Sequence, residues 1–335
     1  MHRYSIKPTL AIIGLLFLSL AVILLAPLLG MKFISLGDII TSDFSSGIFF
    51  SLRLPRVLTG YLSGAGLAIC GMVFQAMFRN PLATPFTLGV SSGASFGAAL
   101  TILLGITASV LGIPVITLGA FAGALIAMSL VYGFSSLQRT ISSLTMLLAG
   151  VAVSFLFSSL LMFVQYLSNL RNSFQIIRWL MGGLDVFGYR PLISIVPFIV
   201  FASILIAWKL PELNHLLTGE DLARSRGINV NRTKIILFFA TSILVSAIVS
   251  VCGPIGFVGM MSPHICRMVV GNDHRILGVC TFLFGGIFLV VCDAFSRMVI
   301  APYEIPVGVI TALLGGPFFL WILFRHMKRN SGEIW

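Results

Sequence analysis

Charged side chains are scarce in this 335-residue sequence: Asp, Glu, Lys and Arg together make up 9%, against 58% hydrophobic residues. A soluble domain carries about 25% charged residues. Too little polar surface is present to cover a globule in water. Lipid is therefore the predicted solvent for most of the chain.

Several patterns that would carry chemistry are absent from the sequence. None of the five lysines follows a glycine, so the motif G-x-x-x-x-G-K-[ST] is missing and ATP cannot be bound by a P-loop. The histidines show no H-E-x-x-H spacing, and the five cysteines form no C-x-x-C pair. The sequence indicates no metal site, no cofactor and no disulfide framework, and a membrane-embedded enzyme is disfavoured.

The formal net charge of +11 is the remaining compositional feature. In a soluble protein, such an excess would suggest a nucleic-acid partner. Here the basic residues lie between apolar runs, which is typical of membrane topology. We therefore expect contact with membrane lipid and no binding of nucleic acid.

Charge-free segments predict an all-α integral membrane protein with ten transmembrane helices. Backbone groups in lipid must be hydrogen-bonded within their own segment, and the alternation of a β-barrel is absent. The predicted spans are about 8–30, 57–78, 89–106, 113–134, 144–167, 192–208, 235–252, 255–270, 276–292 and 305–324. The eighth contains His264 and Arg267, so we expect it to be short or tilted. Glycines in the second and third spans predict close helix packing.

An even number of spans places both termini on one side of the membrane. With cytoplasmic termini, 14 of the Lys and Arg residues fall inside and 7 outside, which favours this orientation. The first apolar run, 8–30, is expected to be a retained helix, because a signal-peptide core is usually shorter. Apart from His264 in the eighth span, no predicted span has Asp, Glu or His near its middle, where ion-coupled carriers place such groups. Uphill transport would therefore need energy from a partner.

The longest loop on the predicted inner side, about 209–234, shows helix-boundary signals. Thr218 and Asp221 form a capping-box-like pair, and Gly227 reads as a helix stop. A plain connector does not need this order. The pattern favours a short helix on which a partner docks, and a solvated linker is the alternative.

The stretch "SLRLPRVLTG" (51–60) places Arg53 and Arg56 around Pro55. Pro55 suits the first turn of a helix, so both arginines are predicted at a helix N-terminus. The helix dipole disfavours a cation there by about 0.3–1 kcal/mol. Arg297 is predicted near a helix C-terminus, four residues after Asp293, where both the dipole and the pair favour it.

Five blocks in order carry a family resemblance. They are "RLPRVLTGYLSGAGLAICGMVFQAMFRNPLATPFTLGVSSGASFG" (53–97), "LLAGVAVS" (147–154), "RWLMGGL" (178–184), "GPIGFVGMMSPHICRMVVGNDHR" (253–275), and "CDAFSR" with "EIPVGVITALLGGPFFLWIL" (292–323). The chain resembles the FecCD-type permeases, the membrane subunits of type II ABC importers for iron chelates, haem and vitamin B12.

The resemblance implies one permease domain over residues 1–335, with the coupling loop at about 209–234. It implies a homodimer of ten-helix subunits in the cytoplasmic (inner) membrane. Two ABC ATPase subunits would bind inside, and an extracytoplasmic substrate-binding protein would dock outside. The permease would not be an enzyme itself, because ATP hydrolysis would belong to the partner subunit.

The resemblance also implies roles for particular residues. Coupling to the ATPase falls on Glu220, Ala223 and Gly227, which match an E-x-x-A-x-x-x-G core. Docking of the binding protein falls on Arg53, Arg56 and Arg297, with lipid headgroup contacts as the alternative.

A second group of residues is expected along the translocation path. Ser142 and Ser143 match the cytoplasmic gate region, although an N-cap would also explain them. Ser154 and Ser158 are expected on the path, with hydrogen bonds to their own helix as the alternative. At the outer mouth, Arg171 and Arg178 would meet an anionic chelate, or else lipid headgroups or loop carboxylates.

The weakly charged path favours a bulky metal chelate over a small bare ion. We expect an iron–siderophore or haem as the substrate. Vitamin B12 and molybdate-type oxyanions are alternatives within the family. A carrier driven by an ion gradient is the alternative from a different class.

Overall fold

The computed structural model describes residues 8–30, 34–137, 143–300 and 302–330. The chain is almost entirely helical. Its α-helices are α1 (Pro8–Leu25), α2 (Leu36–Thr41), α3 (Asp43–Ile48), α4 (Leu54–Phe78), α5 (Val90–Leu103), α6 (Val115–Ser136), α7 (Ser143–Leu167), α8 (Leu170–Leu180), α9 (Arg190–Leu216), α10 (Glu220–Ser225), α11 (Val230–Cys252), α12 (Val258–Val270), α13 (His274–Met298) and α14 (Val307–Asn330). A short antiparallel hairpin pairs β1 (Ser109–Val110) with β2 (Ile113–Pro114). Single helical turns of other types follow α1 (Ala26–Leu28), precede α4 (Phe49–Arg53) and precede α5 (Pro85–Leu88).

Eight helical segments in the described ranges are long and apolar enough to cross a membrane. The third and eighth predicted spans form helices at the expected places, but these helices are shorter. α5 has 14 residues and α12 has 13, so at 1.5 Å per residue each rises only about 20 Å. The shortness of α12 was expected from His264 and Arg267.

The second predicted span begins much earlier than the sequence suggested. One helical run extends from Asp43 to Phe78, through α3, a π-helical turn at Phe49–Arg53, and α4. Arg53 immediately precedes α4 and Arg56 lies in its first turn, on either side of Pro55 as predicted, but the helical run does not begin there. The dipole penalty expected for them does not apply, because the positive end of the run lies near Asp43.

Pro55 does not end the helix because its missing hydrogen bond is replaced from elsewhere. Proline has no N–H to donate to the carbonyl four residues before it, which is that of Ser51. The Ser51 oxygen instead accepts a hydrogen bond from the backbone N–H of Gly188 at 3.0 Å. The loop that contains Gly188, more than a hundred residues further along the chain, thus supplies the hydrogen bond that the Ser51 carbonyl lacks within the helix.

Glycines set the packing of the central helices, as predicted for the second span. α4 packs along α13, and a Cβ on Gly64 would overlap the carbonyl oxygen of Gly285. α4 also crosses α12, where a Cβ on Gly71 would overlap the Gly259 backbone. Without a hydrophobic driving force between helices in lipid, such close backbone contact supplies the van der Waals attraction that holds them together.

Candidate functional site

Arg56 and Arg297 both pair with the same buried carboxylate, that of Asp293 on α13. Arg56 donates to Asp293 Oδ1 from Nη2 at 2.8 Å and from Nε at 3.0 Å, and its Nη1 lies 2.7 Å from Glu304 Oε2. Arg297 Nε lies 3.1 Å from Asp293 Oδ2, in the predicted i,i+4 pair. The Asp293 side chain is 1% exposed. We call Arg53, Arg56, Asp293 and Arg297 the arginine cluster.

The arginine cluster also holds the helical turn that follows α1. Arg53 Nη1 donates to the carbonyl oxygens of Pro27 (3.2 Å) and Leu28 (3.1 Å), and Arg297 Nη1 donates to that of Leu29 (2.9 Å). The last carbonyls of a helix have no partner within the helix, and the dipole is negative there. Both arginines therefore have a structural role that the sequence did not indicate.

Docking of a partner through Arg53, Arg56 and Arg297 stays a prediction. Arg297 is buried, with a side chain only 4% exposed, and would have to leave Asp293 to touch a docked protein. Arg53 and Arg56 are partly exposed. Of the three, these two present charge at the surface in the observed arrangement.

A cavity of about 1250 Å³ lies beside the arginine cluster. Arg171 and Arg178, the residues predicted at the outer mouth, both line it, as do Arg56, Trp179 and Glu304. The structure thus brings the outer-mouth residues and one residue of the arginine cluster to the same cavity. Their side chains could bind an anion together with the flat face of an aromatic ring.

The two mouth arginines belong to α8. Asn169 caps the start of this helix, and its side chain accepts a hydrogen bond from the Asn172 N–H at 2.8 Å. Arg178 pairs with Asp185 at 3.1 Å, and both side chains are more than half exposed. Such a pair contributes about 0–1 kcal/mol, so Arg178 can exchange its partner at little cost.

The predicted helix in the loop 209–234 is α10. Gly227 has φ +80°, its N–H bonds to the Arg224 carbonyl (2.9 Å), and the Ile228 N–H bonds to the Ala223 carbonyl (3.1 Å). This is a Schellman end, so the predicted glycine stop is confirmed. Ala223 is fully buried against Leu216. The E-x-x-A-x-x-x-G spacing therefore places the alanine inward and the glycine at the turn.

The predicted capping box at the start of α10 is wrong. The residue before the helix is Gly219, with φ +124°, and the helix begins at Glu220. The Thr218 hydroxyl donates instead to the carbonyl of His215 at the end of α9, at 2.8 Å. A threonine that completes the preceding helix is not available to cap the next one.

Glu220 makes its strongest contact with a lysine that sequence reasoning did not single out. Lys234 Nζ lies 2.5 Å from Glu220 Oε1 and 3.0 Å from Ser143 Oγ. The Lys234 side chain is 1% exposed. Ser143, Glu220 and Lys234 form what we call the lysine cluster. A sequence signal did exist, namely a lysine in the positively polarised first turns of an apolar helix.

The remaining predicted path residues lie on or before α7. Ser142 lies outside the described residues, and Ser143 is the first residue of α7. The Ser154 hydroxyl donates to the Gly150 carbonyl at 2.8 Å, the intrahelical bond given above as the alternative. Ser158 is half-buried on the same helix. Their place on a path stays a prediction.

The described segments contain no group of three His, Cys, Asp or Glu side chains placed to hold a metal ion. All five cysteines are buried free thiols. The main polar features of the described residues are the cavity, the arginine cluster and the lysine cluster. They lie among helices that are long and apolar enough to cross a membrane, as in a multi-pass membrane protein.

Comparisons with known proteins identify the family. Residues 15–325 match the FecCD transport family. The cobalamin import system permease protein BtuC of Halobacterium salinarum is 42% identical over 273 residues, which cover 82% of this chain and 72% of that protein. The hemin transport system permease protein HmuU of Yersinia pestis is 36% identical over 310 residues, or 91% of each chain.

A solved structure described as an inward-facing conformation of a putative metal-chelate type ABC transporter has the same fold. It superposes with a TM-score of 0.86 at 31% identity, covering 95% of this chain and all of that one. The chain belongs to the FecCD transport family, and it is a permease of an ABC importer in the cytoplasmic membrane.

Proposed function

We propose that this permease imports a bulky metal chelate, an iron–siderophore or haem, driven by ATP hydrolysis in two partner ATPase subunits. The observation that carries the substrate class is the cavity of about 1250 Å³ with Arg171, Arg178 and Trp179 in its wall. Pockets for drug-sized ligands measure about 300–1,000 Å³, so this one suits a larger solute. The arginines suit carboxylate or hydroxamate oxygens of a chelate.

The proposed subunit is a single permease domain with ten spans and cytoplasmic termini. α5 and α12 would be the two short spans, completed by the non-helical segments next to them, which is tolerated where backbone is buried in protein. The excess of basic residues on the assigned inner side supports this orientation. Two copies would pair to enclose the path.

α10 is the proposed contact with the ATPase. Ala223 and the Gly227 turn hold the helix against its own subunit, and the exposed side chains of Asp221, Leu222 and Arg224 face away from it. A short helix anchored on one side and exposed on the other can lie in a groove of a partner. Glu220 anchors its first turn.

The opposite polar end is the proposed contact with the substrate-binding protein. Arg53 and Arg56 would meet its carboxylates, with Arg297 holding Asp293 and the end of α1 beneath them. Exposed charge pairs mainly orient and steer a docking protein. Ser142, Ser143, Ser154 and Ser158 are the proposed gate and path residues.

Reconstitution tests the function. The permease and its ATPase partner would be placed in proteoliposomes and supplied with the binding protein carrying a labelled ferric siderophore or haem. We expect uptake that requires ATP and persists when ionophores collapse the ion gradients. Uptake that needs a proton or sodium gradient and no ATP would instead establish a secondary carrier.

The same assay separates the substrate alternatives. Vitamin B12 and molybdate would be offered in place of the iron chelate, each at equal concentration. Direct measurement of the ligand bound by the binding protein gives an independent answer. Uptake of vitamin B12 or molybdate alone would overturn the iron-chelate assignment and leave the importer class intact.

A further inference from the structure

Lys234 occupies a position that neither helix stability nor solubility explains. It lies in the second turn of α11, and its side chain is 1% exposed. An ammonium removed from water is costly unless it is paired. Its partners therefore determine what it does.

Two of those partners, Glu220 and Ser143, belong to two other helices, and Ser143 extends the contact to a third. Glu220, 2.5 Å from Nζ, is the first residue of α10, and Ser143, 3.0 Å from Nζ, is the first residue of α7. The Ser143 hydroxyl in turn lies 3.3 Å from the Met77 carbonyl in the last turn of α4. One buried charge thus joins the ends of α4, α7, α10 and α11.

The hydroxyl of Ser143 gives this junction two arrangements. It accepts from Lys234 and lies within donating distance of both the Met77 carbonyl (3.3 Å) and Glu220 Oε1 (3.4 Å). A hydroxyl carries one hydrogen, so the two donations are alternatives. Donation to Met77 ties α7 to α4, whereas donation to Glu220 ties α7 to α10.

A second buried lysine forms an ion pair within a single helix and serves as a comparison for Lys234. Lys209 lies 2.5 Å from Glu212, three residues later on the same helix, α9. Glu212 also accepts from Thr233 on α11. Among the described residues, the hydrogen bonds of this pair join α9 to α11 and include none to α7 or α10.

We propose that Lys234 is a positioning residue that transmits displacement of α10 to the first turn of α7. This inference rests on the proposed role of α10 as the ATPase contact. When α10 moves, Glu220 moves with it, and the ammonium carries that displacement to the Ser143 hydroxyl. The start of α7 then exchanges its bond to α4 for a bond to α10.

The test uses the complete permease–ATPase complex and a readout that needs no substrate. A bimane label at position 148, from Leu148→Cys on the exposed face of α7, reports movement of that helix. The native cysteines are buried, which limits background labelling. Fluorescence is compared before and after trapping with ATP and vanadate, and the ATPase rate is measured on the same sample.

In the otherwise wild-type complex we expect a nucleotide-dependent fluorescence change. Lys234→Met should reduce that change by about fivefold while the ATPase rate stays within about twofold, because α10 then moves without α7. Lys234→Arg, which keeps the charge, should restore most of it. Lys209→Met is the matched control and should leave the change intact.

Each other outcome also decides the question. An undiminished change in Lys234→Met overturns this inference and leaves the proposed function standing. No change in the wild-type background also overturns this inference, and the proposed function is then decided separately by uptake in proteoliposomes. Should Lys234→Met fail to assemble, Ser143→Ala keeps the Lys234–Glu220 pair and removes only the hydroxyl. A reduced change in Ser143→Ala then supports the inference, and an undiminished one rejects it.

Discussion

Arg56 and Asp293 form a two-nitrogen contact between α4 and α13, with Nη2 at 2.8 Å and Nε at 3.0 Å from the same carboxylate oxygen. The two residues are 237 positions apart in sequence. Asp293 is the central member of the arginine cluster, since it also pairs with Arg297. The arginine cluster therefore has a structural role, because it holds α4 against α13, and any docking role depends on that contact.

Removing the Asp293 charge should destabilise the permease strongly. Asp293→Asn leaves the buried Arg297 guanidinium without its counter-charge, which costs about 3–5 kcal/mol for a buried pair. We expect a lower temperature of thermal aggregation in detergent and a smaller monodisperse fraction on size-exclusion chromatography. Asp185→Asn, which breaks the exposed Arg178 pair, is the control and should change little. Equal losses of stability from the two substitutions would show that the arginine cluster does not stabilise the permease.

Glu304→Gln should strengthen docking of the binding protein. Glu304 is 40% exposed and occupies Nη1 of Arg56, so it competes with any carboxylate that an incoming protein presents. Releasing that nitrogen should raise affinity by about two- to fivefold, the range for an exposed pair. Surface plasmon resonance at low and at high salt measures the effect, which should shrink as salt rises. Weaker docking would indicate that Glu304 itself contacts the partner.

Gly227→Ala should weaken attachment of the ATPase without unfolding the membrane domain. The backbone at Gly227 has φ +80°, where a side chain costs about 1–2 kcal/mol, although space for a Cβ is open. We expect the thermal stability of the helical bundle to hold while less ATPase co-purifies. Gly133→Ala, a helical glycine with equal space, is the matched control and should have no effect on co-purification. Reduced co-purification of the ATPase with both variants would show that the effect comes from lower expression of the permease.

Asp273→Ala should lower stability by the same amount from pH 5 to pH 8. Asp273 caps α13 through the Arg275 N–H and accepts from Asn214 Nδ2 at 2.9 Å. The hydrogen bond from Asn214 lowers the pKa of Asp273, so the contribution is complete above its ordinary pKa and fades only as pH falls through the lowered value. The expected loss is about 0.5–2 kcal/mol. The melting temperatures of the wild type and of Asp273→Ala, plotted against pH over this range, should run parallel. A difference that shrinks towards pH 5 would contradict the assignment.

The sequence predicted most of the helical framework because the constraint on it is local. Apolar segments of spanning length, such as 113–134 and 235–252, must satisfy their backbones within themselves in lipid. The turn at Gly227 was equally readable, because a left-handed residue at a helix end needs nothing beyond its neighbours. Family membership followed from ordered local blocks for the same reason.

What the sequence missed depends on partners far along the chain. The Gly188 N–H donates to the Ser51 carbonyl that Pro55 leaves without its helical partner, and Ser143, 91 positions away, and Glu220 both approach the buried ammonium of Lys234. Arg53 and Arg297 looked like surface charges until the carbonyls at the end of α1 were brought to them. The sequence determined which segments are apolar and helical. Tertiary structure decided which buried charges meet, because that depends on distances between helices that no local pattern contains.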